Sequence, residues 1–113
     1  MKMLVYLLDL KDDASIAPYC SRHANIEPAV PKKLKELGVL QNRVCRLGKH
    51  LVNIMIVEDD FSSNVLKSYT EDPDCKKWDD EMACYQQVLP EAKEGELWAE
   101  TDVVYLFDQL GLK

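Results

Sequence analysis

With only two histidines (His23 and His50) and four glycines in 113 residues, the chain is poor in several of the patterns by which proteins announce their class. No apolar run approaches the roughly 18 residues of a membrane-spanning helix, so no span is expected. The opening MKMLVYLLDL is too short for a secretory leader and has no small-residue cleavage site; the aspartate closing its apolar run reads as part of a strand. Basic clusters are missing and the formal net charge is −6, which would repel a phosphate backbone, so nucleic-acid binding is not expected. Cys20, Cys45, Cys75 and Cys84 show no CxxC spacing, and no His/Cys/Asp group has ligand spacing, so no metal is expected. Without an export signal, and with much aliphatic residue, a disulfide framework is not expected either. The cysteines read as buried free thiols in the cytoplasm. There is no internal repeat or low-complexity tract.

What is present is a hydrophobic fraction of 47% with 30% charged residues, the balance of a soluble globular protein with one domain over residues 1–113. Residues 3 to 10 alternate Met3, Val5 and Leu7 against Leu4, Tyr6 and Leu8. Both faces are apolar, which predicts a central strand buried on two sides. Asp12, Asp13 and Ser15 supply helix-start chemistry, and Ile16, Cys20, His23, Val30, Leu34 and Leu37 follow at helical spacing until Gly38. Pro28 and Pro31 predict a kink or break near Asn25 to Glu27, because each removes an amide donor and crowds the preceding turn. Val39–Arg46 and Leu51–Glu58 read as a hairpin around Gly48 and Lys49. Ser62–Tyr69 reads as a short helix, and a longer one carries Cys75, Trp78, Met82, Tyr85 and Leu89 along one stripe. Trp98–Phe107 reads as the last strand, with Val103, Tyr105 and Phe107 on one face.

The order β-α-β-β-α-β predicts a ferredoxin-like α+β sandwich. Two helices cover only one face of such a sheet, yet the strands are apolar on both, so a homodimer with packed sheets is expected.

Two places could carry chemistry. Helical spacing sets Tyr19, His23 and Glu27 in one row, four residues apart. His23 fits two readings: a helix histidine that bonds a neighbour and does nothing else, or a general acid/base, since histidine titrates near neutral pH unaided. Trp78 likewise fits plain core or a flat platform for the apolar face of a sugar, with Asp79 and Asp80 either a solvated acidic surface or holders of sugar hydroxyls. Arg22 points elsewhere, toward solvent or a surface carboxylate, and His50 sits exposed at a strand start.

YCSRHANIEP followed by KKLKELG, then LVNIMIVE, CKKWDDEM and DVVYLFD, resembles the L-rhamnose mutarotase family over nearly the whole chain. That family carries a Tyr-x-x-x-His pair on its first helix, an Ile-Trp-Pro shortly after, and Cys-x-x-Trp-Trp on its last helix. The resemblance implies a dimeric α+β barrel and a cofactor-free isomerase that interconverts the α and β anomers of a deoxyhexose. It implies Tyr19 as a sugar-binding residue, His23 as the proton donor and Trp78 as the first tryptophan of the pair. Glu27 and Asp79 stand where the family has tryptophan, and Asn42 where it has a sugar-binding tyrosine. The wall becomes more polar and more acidic, and L-fucose enters as a second substrate. Two other readings share this strand order: a barrel monooxygenase-like enzyme, and a sugar-binding dimer without activity.

Overall fold

The computed structural model describes residues 1–62 and 64–112. Strand β1 (Lys2–Leu10) lies inside the sheet, as its two apolar faces require. It pairs antiparallel with β3 (His50–Val57), in register from Lys2 opposite Val57 to Asp9 opposite His50. Strand β2 (Val39–Leu47) pairs with β3 through the Gly48–Lys49 turn, where Gly48 takes a φ of 59° that glycine adopts without a Cβ clash. Two short pieces, β4 (Gln86–Gln87) and β5 (Ala99–Glu100), share the other edge of β1. The order β2-β3-β1-β4 is that of a ferredoxin-like sheet.

Helices cover one face. The Asp12 carboxylate accepts from the Ser15 backbone N–H at 2.9 Å and its hydroxyl at 2.6 Å, starting a short 3-10 turn that feeds α1 (Ile16–Ala24). The prolines act as expected: α1 stops at Ala24, and Pro28 opens α2 (Ala29–Glu36) with Pro31 in its first turn, where the missing N–H has no partner to lose. After α3 (Leu66–Tyr69), Asp72 caps α4 (Pro73–Ala83) by accepting from the N–H groups of Asp74 and Cys75. Leu10, Leu51, Tyr19, Val30, Cys75, Trp78 and Met82 form one core cluster; Val39, Met55, Val57 and Phe61 form a second.

Four expectations change. The helix expected over Ser62–Tyr69 is a single turn from Leu66; Ser63 lies outside the described residues. The α4 helix ends at Ala83, so Tyr85 reaches the core from the following turn and Leu89 lies beyond it. The strand expected over Trp98–Phe107 pairs only at Ala99 and Glu100. Thr101 still bonds the Val5 carbonyl through its N–H (3.1 Å) and hydroxyl (2.8 Å), but past it the chain meets no free strand edge and forms no ladder. Val103 to Phe107 are exposed, Val104 almost completely at 98%. Lastly, only Cys75 is buried. Cys20 follows Tyr19, which holds the inward row of α1 with Ile16, and so turns outward; Cys45 follows the core-packed Val44 in β2, where alternation sends it to the other face.

Candidate active site

Between the sheet and the helices lies a cavity of about 520 Å³, within the range of small-molecule sites. Its floor is the inward face of the sheet: Tyr6 from β1, Asn42 and Val44 from β2, Asn53 and Met55 from β3. Tyr19, His23 and Ile26 enter from α1 and its C-terminal turn, Val30 and Leu34 from α2, Tyr69 from α3, and Trp78, Asp79 and Met82 from α4. Gln86, Leu97 and Trp98 close one side. Tyr19, His23, Trp78 and Asp79, separated by up to 60 positions in sequence, thus line one space.

The His23 ring sits 4.3 Å from the Tyr19 ring, centroid to centroid, and edge-on to Trp78 at 5.1 Å. Its Nδ1 lies 2.8 Å from the Tyr19 carbonyl oxygen, one helical turn back. A carbonyl oxygen can only accept, so Nδ1 carries the proton and Nε2 is left to take up or release one. The helix thereby fixes both the orientation and the tautomer, the role a carboxylate plays in many catalytic histidines.

Trp78 has two surroundings. It belongs to the buried core, and the Arg22 guanidinium lies over its ring at 5.2 Å, held by Glu81 through bonds of 2.5 Å and 3.2 Å. Arg22 therefore occupies the indole face away from the cavity and ties α1 to α4.

Asp79 follows Trp78 and is partly buried in the cavity wall, where Tyr69 donates its hydroxyl to Oδ1 at 3.2 Å. Burial pushes the Asp79 carboxyl up to about 6, with Asp80 adding repulsion, while the Tyr69 hydrogen bond pulls the other way. Burial, then the Asp79 charge, raises Tyr69 well above its usual range, so it remains a protonated donor. Burial likewise raises Tyr19, and Gln86 hydrogen-bonds it in opposition. On the floor the Asn42 amide donates to Asn53 Oδ1 at 2.6 Å and lies 3.4 Å from the Ile54 carbonyl.

Glu27 leaves the row that spacing assigned to it. The helix has ended at Ala24, three residues earlier, and the Glu27 carboxylate turns to the Ala29 N–H at 3.4 Å, at the start of α2. It lies in a smaller pocket with Arg22, Asp74, Lys77, Trp78 and Glu81 and does not line the cavity. His50 is also remote, exposed and 2.8 Å from Asp9. Sequence reasoning overlooked Tyr69, Gln86 and Asn53 as wall residues. Asn53 had a visible signal, being the lone polar residue in LVNIMIV; the other two had none, because only tertiary contact brings them in.

The L-rhamnose mutarotase family model matches residues 4–107. The chain belongs to that family. An L-fucose mutarotase of Xanthomonas campestris pv. campestris is 31% identical, over 96% of this chain and 90% of that protein. A UPF0734 protein of Dictyostelium discoideum is 32% identical, over 95% and 90% respectively. Among solved structures, an L-rhamnose mutarotase from Formosa agariphila superposes with a TM-score of 0.72 at 21% identity, covering 96% of this chain and all of that one. Tetracenomycin F2 cyclase from Streptomyces glaucescens superposes with a TM-score of 0.62 at 16% identity over 96% and 98%. Both likenesses concern the fold, a curled antiparallel sheet with helices on one side.

Proposed function

We propose that this protein interconverts the α and β anomers of a deoxyhexose, with L-fucose and L-rhamnose as its candidate substrates. The observation that carries this reading is the convergence of His23, its Nε2 freed by the Tyr19 carbonyl, with Tyr19, Trp78 and Asp79 in one cavity. Mutarotation requires one proton placed on the ring oxygen and one removed from the anomeric hydroxyl. The C1–O5 bond opens, the aldehyde rotates, and the ring recloses. No redox change or group transfer occurs, so two positioned side chains suffice, each worth about 10²–10⁴-fold. His23 handles the ring-oxygen proton, Tyr19 orients the sugar, Trp78 packs against its apolar side, and Asp79 accepts from a hydroxyl. Ile26, Val30 and Leu34 supply an apolar corner for the methyl group that distinguishes a deoxyhexose, while Asn42, Asn53 and Gln86 supply amides for its hydroxyls.

The protein acts as a homodimer, a reading supported by the exposed apolar segment after Thr101 and by a sheet face without helices. No helix among the described residues is long and apolar enough to cross a membrane. Four unpaired cysteines, three of them exposed, support a reducing compartment, the cytoplasm.

Saturation-transfer NMR on a panel of L-fucose, L-rhamnose and related hexoses tests activity and substrate together. The protein is expected to speed anomer exchange of at least one deoxyhexose, and His23→Asn to lose about 10²-fold or more. No acceleration of any sugar, with binding intact in a thermal-shift assay, would identify a sugar-binding dimer instead.

A further inference from the structure

We propose that Asp79, braced by Tyr69, is the second proton-transfer group of this site, taking the anomeric hydroxyl proton while His23 serves the ring oxygen. The proposal rests on the mutarotase reading and goes further by giving Asp79 a catalytic role in place of simple hydroxyl binding. Its first support is the way the carboxylate is held. Among the described residues Asp79 has one side-chain donor, Tyr69, and forms no ion pair, the Lys76 charge acting on it only from further off. The cations on either side are engaged elsewhere: Lys76 with Asp80 at 2.8 Å and Arg22 with Glu81. A carboxylate placed in a wall for structure alone would be expected to take one of them. No buried side-chain oxygen among the described residues lacks a partner, so Oδ2, which has none, is not fully buried, and Asp79 itself lines the cavity.

The second support is the neighbourhood. The titratable groups lining this space with Asp79 are Tyr69 from α3, Tyr19 and His23 from α1 and Tyr6 from β1, while Cys75, Lys76 and Asp80 act on it from α4 itself without lining the cavity. Tyr19, Tyr69 and Cys75 are all raised, so they remain neutral, and His23 is the natural counterpart for proton exchange. Burial that brings the Asp79 carboxyl up to about 6 leaves it ionised at neutral pH yet basic enough to accept a proton.

The step balances. With His23 starting as the imidazolium, Nδ1–H on the Tyr19 carbonyl and a second proton on Nε2, the Nε2 proton passes to O5 as the C1–O5 bonding pair leaves with that oxygen. The O1–H proton passes to Asp79, and its bonding pair becomes the second bond of the C1–O1 aldehyde. After rotation about C1–C2, O5 attacks the other face of C1, His23 recovers the O5 proton and Asp79 returns its own to O1. Both side chains end as they began, and nothing is oxidised or reduced.

The test is the pH dependence of kcat/KM for anomer exchange by saturation-transfer NMR, with the uncatalysed rate subtracted. For the wild type, an acid limb near the Asp79 value is expected, because protonated Asp79 cannot accept. Asp79→Asn should lower kcat about 100-fold or more and abolish that limb. Tyr69→Phe should move the limb to higher pH, since the lost hydrogen bond had favoured the ionised carboxylate. Full kcat with a raised KM in Asp79→Asn, or a limb unmoved by both variants, overturns the proposal while leaving the mutarotase reading standing. A wild type inactive on every sugar overturns both.

Discussion

Strand β3 presents two faces that differ in everything except composition. Toward the helices it sets Leu51, Met55 and Val57, all buried, with Asn53 half-buried between them. Toward the other side it sets Val52, Ile54 and Ile56, each only partly covered, across from Leu7, Val5 and Met3 of β1. An apolar residue on either face gains about 1.5–3 kcal/mol from full burial, so the chain collects that term on one side and leaves much of it uncollected on the other. The helix side can therefore hold polar groups, because its core is already complete around them. The open side holds almost none on β1 and β3. The contrast separates a face that lines a cavity from an apolar face that the proposed homodimer would cover, and the segment from Val103 to Phe107 leaves further apolar side chains exposed.

The largest test of this contrast attacks the open side. The wild type should sediment at micromolar concentration as a dimer, twice the 13.0 kDa chain. Val104→Asp with Leu106→Asp should shift it to the monomer, since two charges cannot be buried without partners. A wild type that sediments as a stable monomer would remove the dimer from the account altogether.

Next comes a matched pair on one strand. Leu51→Ala should cost about 2–5 kcal/mol in denaturant unfolding, at any protein concentration, because Leu51 is 1% exposed within the single chain. Ile54→Ala should cost less in dilute protein and more as concentration rises, because in the proposed homodimer its full burial would come from a second chain. Equal, concentration-independent costs would erase the distinction between the two faces.

A smaller effect should come from the cavity itself. The folded Asp79 carboxyl lies above its ordinary value of 3.8, so the folded state binds its proton more tightly than the unfolded chain does. Its contribution is thus fully present below about pH 4 and is lost as pH rises through about 6. Asp79→Asn, which needs no proton, should match the wild type near pH 4 and exceed it at pH 8 by ~1–2 kcal/mol, allowing for screening at the cavity mouth. Melting curves at the two pH values decide it. Greater stability with lower activity would mark Asp79 as held for function at the expense of folding.

Much of this arrangement was legible from residue patterns. Two-faced apolarity located β1 at the centre of the sheet, the prolines located the break after Ala24, and the Tyr19–His23 spacing located one wall of the cavity. Three things were not legible, for separate physical reasons. Glu27 left its row because the helix ended before reaching it, and helical spacing holds only while the helix does. The final strand looked sound in Trp98–Phe107 because alternation records which faces are apolar and says nothing about whether a partner edge exists. Tyr69 was silent because its value lies in one hydrogen bond to a residue ten positions away, across the turn between α3 and α4.

The cysteines give the finest probe of the two faces. Cys75 is fully buried, bonds the Ala29 carbonyl at 3.4 Å, and is pushed up to about 11 by burial, so native alkylation should miss it. Cys20 on α1 and Cys84 just past the end of α4 are exposed and should react. Cys45 is the informative one. It pairs with Val52 on the open face, opposite in direction to Val44, and is exposed in the single chain. If a second sheet covers that face, two thiols should react in the native wild type and three in the Val104→Asp, Leu106→Asp variant, counted by mass spectrometry. Three reactive thiols in both would mean that Cys45 lies outside the covered area, and would confine the contact to β1, β3 and the C-terminal segment.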